Sequence, residues 1–196
     1  MYYVRIPDDD LVYRHAVYPL AFSNQRIVQA KFFHFQVDAA AQRIVGSLAW
    51  DKYLPTTDRI HSYGCRLAER RNKKLEEKNK LKRKTRQVYC GVYAIDARAV
   101  RCLTGIVELP EVVAADVRHK IEEDLAHVEL NITLAAGVVD SESAKTAIID
   151  RLWNASRGPL RHTCAVDKDV RDHPSLWLDR RPNTDCIRTC NYFRRL

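Results

Sequence analysis

The chain has 196 residues, of which 46% are hydrophobic, so it can bury a core of its own, and we expect a single domain over residues 1–196. No stretch approaches the roughly 18 consecutive apolar residues that a membrane span requires, so the composition argues against a membrane protein. Six scattered cysteines and the acidic run Asp8 to Asp10 near the N-terminus favour a cytosolic protein with reduced thiols over an exported one.

The formal net charge of +8 is concentrated in one segment. Residues 66–86 contain 11 Lys or Arg and 3 Glu, a net charge of +8, so the rest of the chain is formally neutral. A segment of this charge density attracts polyanions and releases their counterions when it neutralises phosphates.

Strands are predicted in the N-terminal quarter of the chain. Residues 11–18, 27–37 and 43–50 are rich in β-branched and aromatic side chains. The short link over residues 38–42 predicts that the second and third of these segments form a β-hairpin. The first segment would pair beside it, which gives three antiparallel strands.

A helix is predicted to begin at the possible caps Thr56, Thr57 and Asp58 and to run into the basic segment. Strand-like composition returns over residues 87–100, followed by a turn near Thr104. The basic segment is therefore expected to be an excursion between core elements.

Residues 110–125 carry two competing patterns. Val113, Val117, Ile121 and Leu125 repeat every four residues, whereas Val117, His119 and Ile121 also alternate. We favour a helix here.

The next segment, His127 to Leu134, alternates strictly between polar and apolar residues and predicts a strand with Val128, Leu130 and Ile132 buried. Residues 141–156 then predict a helix capped by Asp140 or Ser141.

Taken together, these elements predict an α+β fold. We expect an antiparallel sheet with two or three helices packed on one face, a protruding basic helical arm and an irregular C-terminal tail from about residue 165.

The basic arm predicts a nucleic-acid-binding protein of the cytosol, plausible as an accessory subunit of a larger assembly. DNA and RNA are equally compatible, and backbone phosphates are the expected contact because aromatic residues only flank the run, at Tyr63 and Tyr89. The predicted contact residues are Arg70, Arg71, Lys73, Lys74, Lys78, Lys80, Lys82, Arg83, Lys84 and Arg86. Two alternatives stay open: a solvated helix with ordinary ion pairs, and a module that docks on an acidic protein partner.

Zinc is a possible cofactor. His61 and Cys65 would share one face of a helix, and His162 and Cys164 would share one side of an extended segment, so the four could form a tetrahedral site. Their spacings match no zinc-finger pattern, and buried thiols with structural histidines are the simpler interpretation.

The polar face of the strand at 127–134 offers candidate catalytic residues. His127 and Glu129 could act as general acid and base in a hydrolase-type enzyme. The alternative is a sheet face that is merely exposed to water. No glycine-rich phosphate loop occurs in the chain.

Overall fold

A computed structural model describes residues 3–18, 20–23, 26–78, 80, 86–120, 124–138 and 140–160. This part of the chain has an α+β fold with an eight-stranded antiparallel sheet and four α-helices, two of which are only five residues long. The predicted fold class is confirmed. No helix in these ranges has both the length and the apolar character needed to cross a bilayer.

The strands of the large sheet agree with several of the expected segments. They are β1 (Tyr3–Arg5), β2 (Leu11–Tyr18), β5 (Gln36–Asp38), β6 (Arg43–Trp50), β7 (Val88–Asp96), β8 (Val112–Lys120), β9 (His127–Leu134) and β10 (Arg157–Leu160), while β3 (Phe22–Ser23) and β4 (Arg26–Ile27) form a separate pair. The helices are α1 (Gln29–Phe33), α2 (Thr57–Glu77), α3 (Ala97–Arg101) and α4 (Ser141–Ala155). The predicted bounds of β2, β6 and β9 are confirmed.

Contacts within the chain define two compact units. The first comprises Met1–Arg14, Phe33–Tyr53 and Ala94–Ser156, and the second comprises His15–Phe32, Leu54–Tyr93 and Arg157–Leu196. Strands β2 and β7 contribute residues to both units. A single domain over the whole chain therefore stays a prediction.

In the first unit the strand order is β1-β8-β9-β6-β2, and β5 also pairs with β6. Helix α3 packs on β8, and α4 contacts α3 and β5. The carboxylate of Asp140 accepts a hydrogen bond from the Ser143 N–H at 2.9 Å, which confirms the predicted cap of α4.

Strand β9 is central in this unit because it pairs with β6 on one side and β8 on the other. Its side chains alternate between half-buried and buried along the whole strand. Val128, Leu130 and Ile132 are fully buried, as predicted from the alternation.

In the second unit the strand order is β2-β7-β10, and α2 contributes buried side chains from its first three turns. Helix α2 begins where the sequence predicted it, with Thr56 as the cap. The Thr56 hydroxyl oxygen accepts a hydrogen bond from the Arg59 N–H at 3.4 Å.

The predicted strand over residues 27–37 is largely wrong. The hairpin with β6 exists, but only Gln36–Asp38 takes part in it, and Gln29–Phe33 forms helix α1 instead. Phe32 and Phe33 are both buried. The Phe32 ring packs against Tyr93 and the Phe33 ring against Phe35, so burial of both rings decides the local conformation over the strand-like composition.

The predicted helix over residues 110–125 is also wrong, because β8 pairs with β9 from Val112 to His119. A β-bulge between Val112 and Ala114 leaves Val113 52% exposed, so the apparent four-residue stripe is not a buried face. Similarly, the strand expected over 87–100 ends at Asp96, and α3 follows it.

Arg101 of α3 is the centre of an ion-pair network in the first unit. Its guanidinium donates to Asp8, to Asp116 at 2.9 Å and to the carbonyl of Ile6 at 2.6 Å. Asp116 also accepts from Arg118 at 2.9 Å. Burial alone raises the pKa of Asp116, but hydrogen bonds from Arg118, Arg101 and the main chain of Val117 outweigh it and hold the pKa below its usual value.

We expect Asp116→Asn to lower the free energy of unfolding at neutral pH by about 1 to 2 kcal/mol, since charge-assisted hydrogen bonds are lost. The folded pKa is depressed, so the contribution of this carboxylate is complete above the unfolded value of about 3.9 and is lost as the pH falls through the folded value. Urea unfolding at a series of pH values would measure both effects.

The matched control for this prediction is Asp9→Asn, because Asp9 pairs with Arg98 in an exposed ion pair. This variant should change stability little at any pH. If Asp116→Asn and Asp9→Asn behave alike, the network around Arg101 does not stabilise the fold.

Candidate functional site

The candidate site lies on the second half of helix α2. In the first half, most of the buried residues recur every three or four positions and so share one face of the helix; they include Ile60, His61, Tyr63, Gly64 and Ala68. From Glu69 onward no residue of the helix is fully buried. One continuous helix therefore has its N-terminal half in the core and presents charged side chains on its C-terminal half.

A cluster of rings holds the buried half of α2 in the second unit. The Nδ1 atom of His61 is hydrogen-bonded to the Tyr89 hydroxyl at 2.8 Å. The ring of His15 lies 5.3 Å from that of Tyr63 and 5.7 Å from that of Tyr89, measured between centroids. Cys65 packs against the small core of Val17, Ala68 and Tyr89.

An open groove with a volume of about 560 Å³ lies along the charged half of the helix, and we call it the basic groove. It is lined by Arg66, Glu69, Arg70, Asn72, Lys73, Glu76 and Arg86. Four cationic and two anionic side chains give this surface a net charge of +2. Every lining side chain is charged or carries an amide.

Asn72 joins helix α2 to Gln87, the residue that follows Arg86. Its side-chain amide donates to the carbonyl of Gln87 at 2.9 Å, and its side-chain oxygen accepts from the Gln87 N–H at 2.8 Å. Gln87 is buried, so this pair of bonds satisfies main-chain groups that have little access to water. The main chain next to Arg86 is thereby held against the helix, and Arg86 is part of the lining of the groove.

Comparison with known proteins finds no matching family model, curated protein or solved structure. Functional inference for this chain therefore depends on its own side chains.

The structure brings together some of the predicted contact residues. Arg70, Lys73 and Arg86 line the basic groove. Exposed cations outside its lining are Arg71, Lys74, Lys78 and Lys80. The remaining predicted contacts, Lys82, Arg83 and Lys84, lie outside the described residues.

Arg66 was missed as an individual contact residue, although it follows the helical spacing of Arg70 and Lys73. Its guanidinium lies 5.8 Å from the centroid of the Tyr63 ring. Arg71 is exposed as a whole residue, yet partial burial of its guanidinium lowers the pKa of that group. An arginine nevertheless stays charged at neutral pH.

The zinc prediction is only partly covered by the described residues. His61 and Cys65 lie one turn apart on α2. His61 is hydrogen-bonded to Tyr89, and Cys65 packs against the small core that contains Tyr89. His162 and Cys164 lie outside the described residues, so the four-ligand site stays a prediction. Within the described ranges, no three or more His, Cys, Asp or Glu side chains are grouped as metal ligands would be.

The candidate acid and base on β9 share one face of the strand, as predicted. His127 lies opposite Ala49, and Glu129 lies between Ser47 and Arg118 on the neighbouring strands. Both side chains are half-buried. Their catalytic role stays a prediction.

Proposed function

We propose that this protein binds nucleic acid through the phosphate backbone and that the basic groove is the contact surface. The observation that carries the proposal is the grouping of Arg66, Arg70, Lys73 and Arg86 along one open groove. Phosphates are matched by guanidinium groups, which are planar and can donate two parallel hydrogen bonds. Three of the four cations in the groove are arginines.

The concentration of charge supports a polyanion as the ligand. The groove belongs to the segment 66–86, whose net charge equals that of the whole chain. Additional cations, Lys74 on the same helix and Lys78 at its C-cap, would raise the local concentration of a polyanion without contacting it directly.

The composition of the groove favours nucleic acid over an acidic protein partner. Protein interfaces usually depend on buried aromatic or aliphatic residues at their centre. The lining of the basic groove contains neither kind of residue. A contact made only by charged groups and one amide is better suited to a ligand whose surface is a regular array of phosphates.

Glu69 and Glu76 limit the affinity of this contact, because carboxylates repel phosphates. We therefore propose a moderate, salt-sensitive interaction, in keeping with an accessory subunit of a larger cytosolic assembly.

Two triple variants with equal changes in charge test the proposal. The first replaces Arg70, Lys73 and Arg86 in the groove with Gln, and the matched control replaces Arg71, Lys74 and Lys78, which lie outside it. Binding to a short DNA duplex would be measured by fluorescence anisotropy between about 50 and 200 mM salt. The groove variant should lose about 2.7 from the slope of log affinity against log salt, which is about 0.9 for each lost contact.

The control variant should keep most of the wild-type slope, and both variants should melt within a few degrees of the wild type because all six positions are outside the core. Equal slopes for the two variants would show that the groove is not the contact surface. Absence of salt-dependent binding of the wild type both to this duplex and to a single strand of the same length would overturn the proposed function.

A further inference from the structure

We infer that the basic groove accepts double-stranded rather than single-stranded nucleic acid. This inference rests on the proposed function and specifies its ligand. It follows from the charged side chains that line the groove and from the burial of the neighbouring aromatic side chains.

The aromatic residues that flank the basic segment in the sequence are not available to bases. Tyr63 is 5% exposed and Tyr89 is 4% exposed. One face or edge of the Tyr63 ring is near His15, and the Arg66 guanidinium lies 5.8 Å from its centroid. The Tyr89 hydroxyl is bonded to His61, and the Tyr89 ring lies against the backbone of α2 at Gly64.

Among the described residues, no aromatic side chain lines the groove, so this part of the protein lacks the main source of affinity for single strands. Proteins that hold single strands combine cations with rings on which bases stack, and each stacked base strengthens binding by about fivefold or more. The basic groove offers cations, two carboxylates and one amide. Phosphate contact is then the dominant attraction, and it depends on charge density.

Charge density favours a duplex. A duplex carries one negative charge per about 1.7 Å of its axis, whereas one strand carries one per about 3.4 Å. Counterion release per contact is also larger, with slopes of about 0.9 for a duplex and about 0.7 for a single strand. Starting from equal affinities at about 1 M salt, this difference over four contacts corresponds to an affinity about sixfold higher for the duplex at about 0.1 M salt.

The position of three of the cations on one helix also favours a duplex. Arg66 and Lys73 are seven positions apart on one helix, which places them about 10 Å apart along its axis. Cations at fixed spacing on a helix match phosphates whose positions are already fixed by a double helix. A single strand would have to lose conformational freedom to match the same row.

The test compares a short duplex of mixed sequence with oligo(dT) of the same length, which forms no self-structure, using the full chain. We expect the duplex to bind about sixfold more tightly at about 0.1 M salt, with the steeper salt slope. Equal or tighter binding of oligo(dT) would overturn this inference and leave the proposed function in place. Salt-independent or absent binding of both would overturn the proposed function itself.

A variant that adds the missing ring provides a second test. Glu76→Trp places an aromatic side chain in the groove, and Glu76→Gln is its matched control for the lost charge. Relative to the control, Glu76→Trp should bind oligo(dT) about fivefold more tightly or better. If the two variants bind oligo(dT) equally, lack of stacking does not explain the preference, and the inference fails.

Discussion

Replacement of Gly64 by alanine is expected to lower the free energy of unfolding by about 1 to 3 kcal/mol, as overpacking of a core does. A Cβ atom at this position would lie 2.5 Å from Cδ2 and 2.7 Å from Cζ of Tyr89, well inside van der Waals contact. The ring cannot easily move away, because it is buried and its hydroxyl is bonded to His61. Urea unfolding of the variant would measure the change.

Helix propensity alone would predict the opposite effect of Gly64→Ala, namely a higher free energy of unfolding. Alanine in the interior of a helix is normally more favourable than glycine by about 1 kcal/mol. In a Tyr89→Leu background, which removes the ring atoms, Gly64→Ala should be much less destabilising or even stabilising. A stabilising effect of Gly64→Ala in the wild-type protein would mean that α2 does not pack against Tyr89 as described.

The second large effect is expected at the centre of the sheet, where Leu130→Ala should lower the free energy of unfolding by about 2 to 5 kcal/mol. Leu130 is fully buried on β9, and its neighbours across the sheet are Gly46 and Val117. Truncation would leave a cavity on the buried face of the sheet, and the paired strands cannot close around it. Chemical unfolding followed by circular dichroism would measure the loss.

Glu129→Ala is the matched control, because Glu129 adjoins Leu130 in the strand but lies on the half-buried face. It should change the free energy of unfolding by less than about 1 kcal/mol, as expected for a half-buried polar side chain outside the core. Comparable losses at the two positions would contradict the assignment of buried and half-buried faces. A loss of activity in Glu129→Ala without a loss of stability would instead favour a catalytic role for this face.

The elements that could be predicted from sequence are those whose local pattern and tertiary environment agree. Strand β9 has the expected bounds because His127 to Leu134 alternates without exception, and only one of its two faces is apolar. Helices α2 and α4 begin at the expected caps because Thr56 and Asp140 each accept a hydrogen bond from an N–H of the first turn.

The errors arise where the tertiary environment overrides the local pattern. The composition of residues 27–35 is typical of a strand, but Phe32 and Phe33 are both buried from one helical turn. Residues 112–120 have a helical stripe, yet the long pairing with β9 decides their conformation.

The candidate site could be predicted only in part. Helical periodicity alone places Arg66, Arg70 and Lys73 along one face of α2, so half of the groove is evident once the helix is predicted. The sequence predicts Arg86 as a contact only because it is one of the cations that follow Arg70 in the run. Its position beside the helix depends on the bonds between Asn72 and Gln87, and no local pattern indicates that an Asn inside a run of Lys and Arg makes them.

The bonds between Asn72 and Gln87 also fix the start of β7 relative to helix α2. The register of β7 therefore does not depend on how many residues lie between Glu77 and Arg86. Strand β7 begins at Val88, directly after Gln87, and a shift of one residue would turn Tyr89 and Tyr93 to the opposite face. Since Gln87 is tied to the helix, insertions or deletions between Glu77 and Arg86 need not move the start of β7. Longer surface segments are tolerated at about 0.6 kcal/mol for each doubling in length. The stretch between Glu77 and Arg86 can thus vary in length while the register of β7 stays the same.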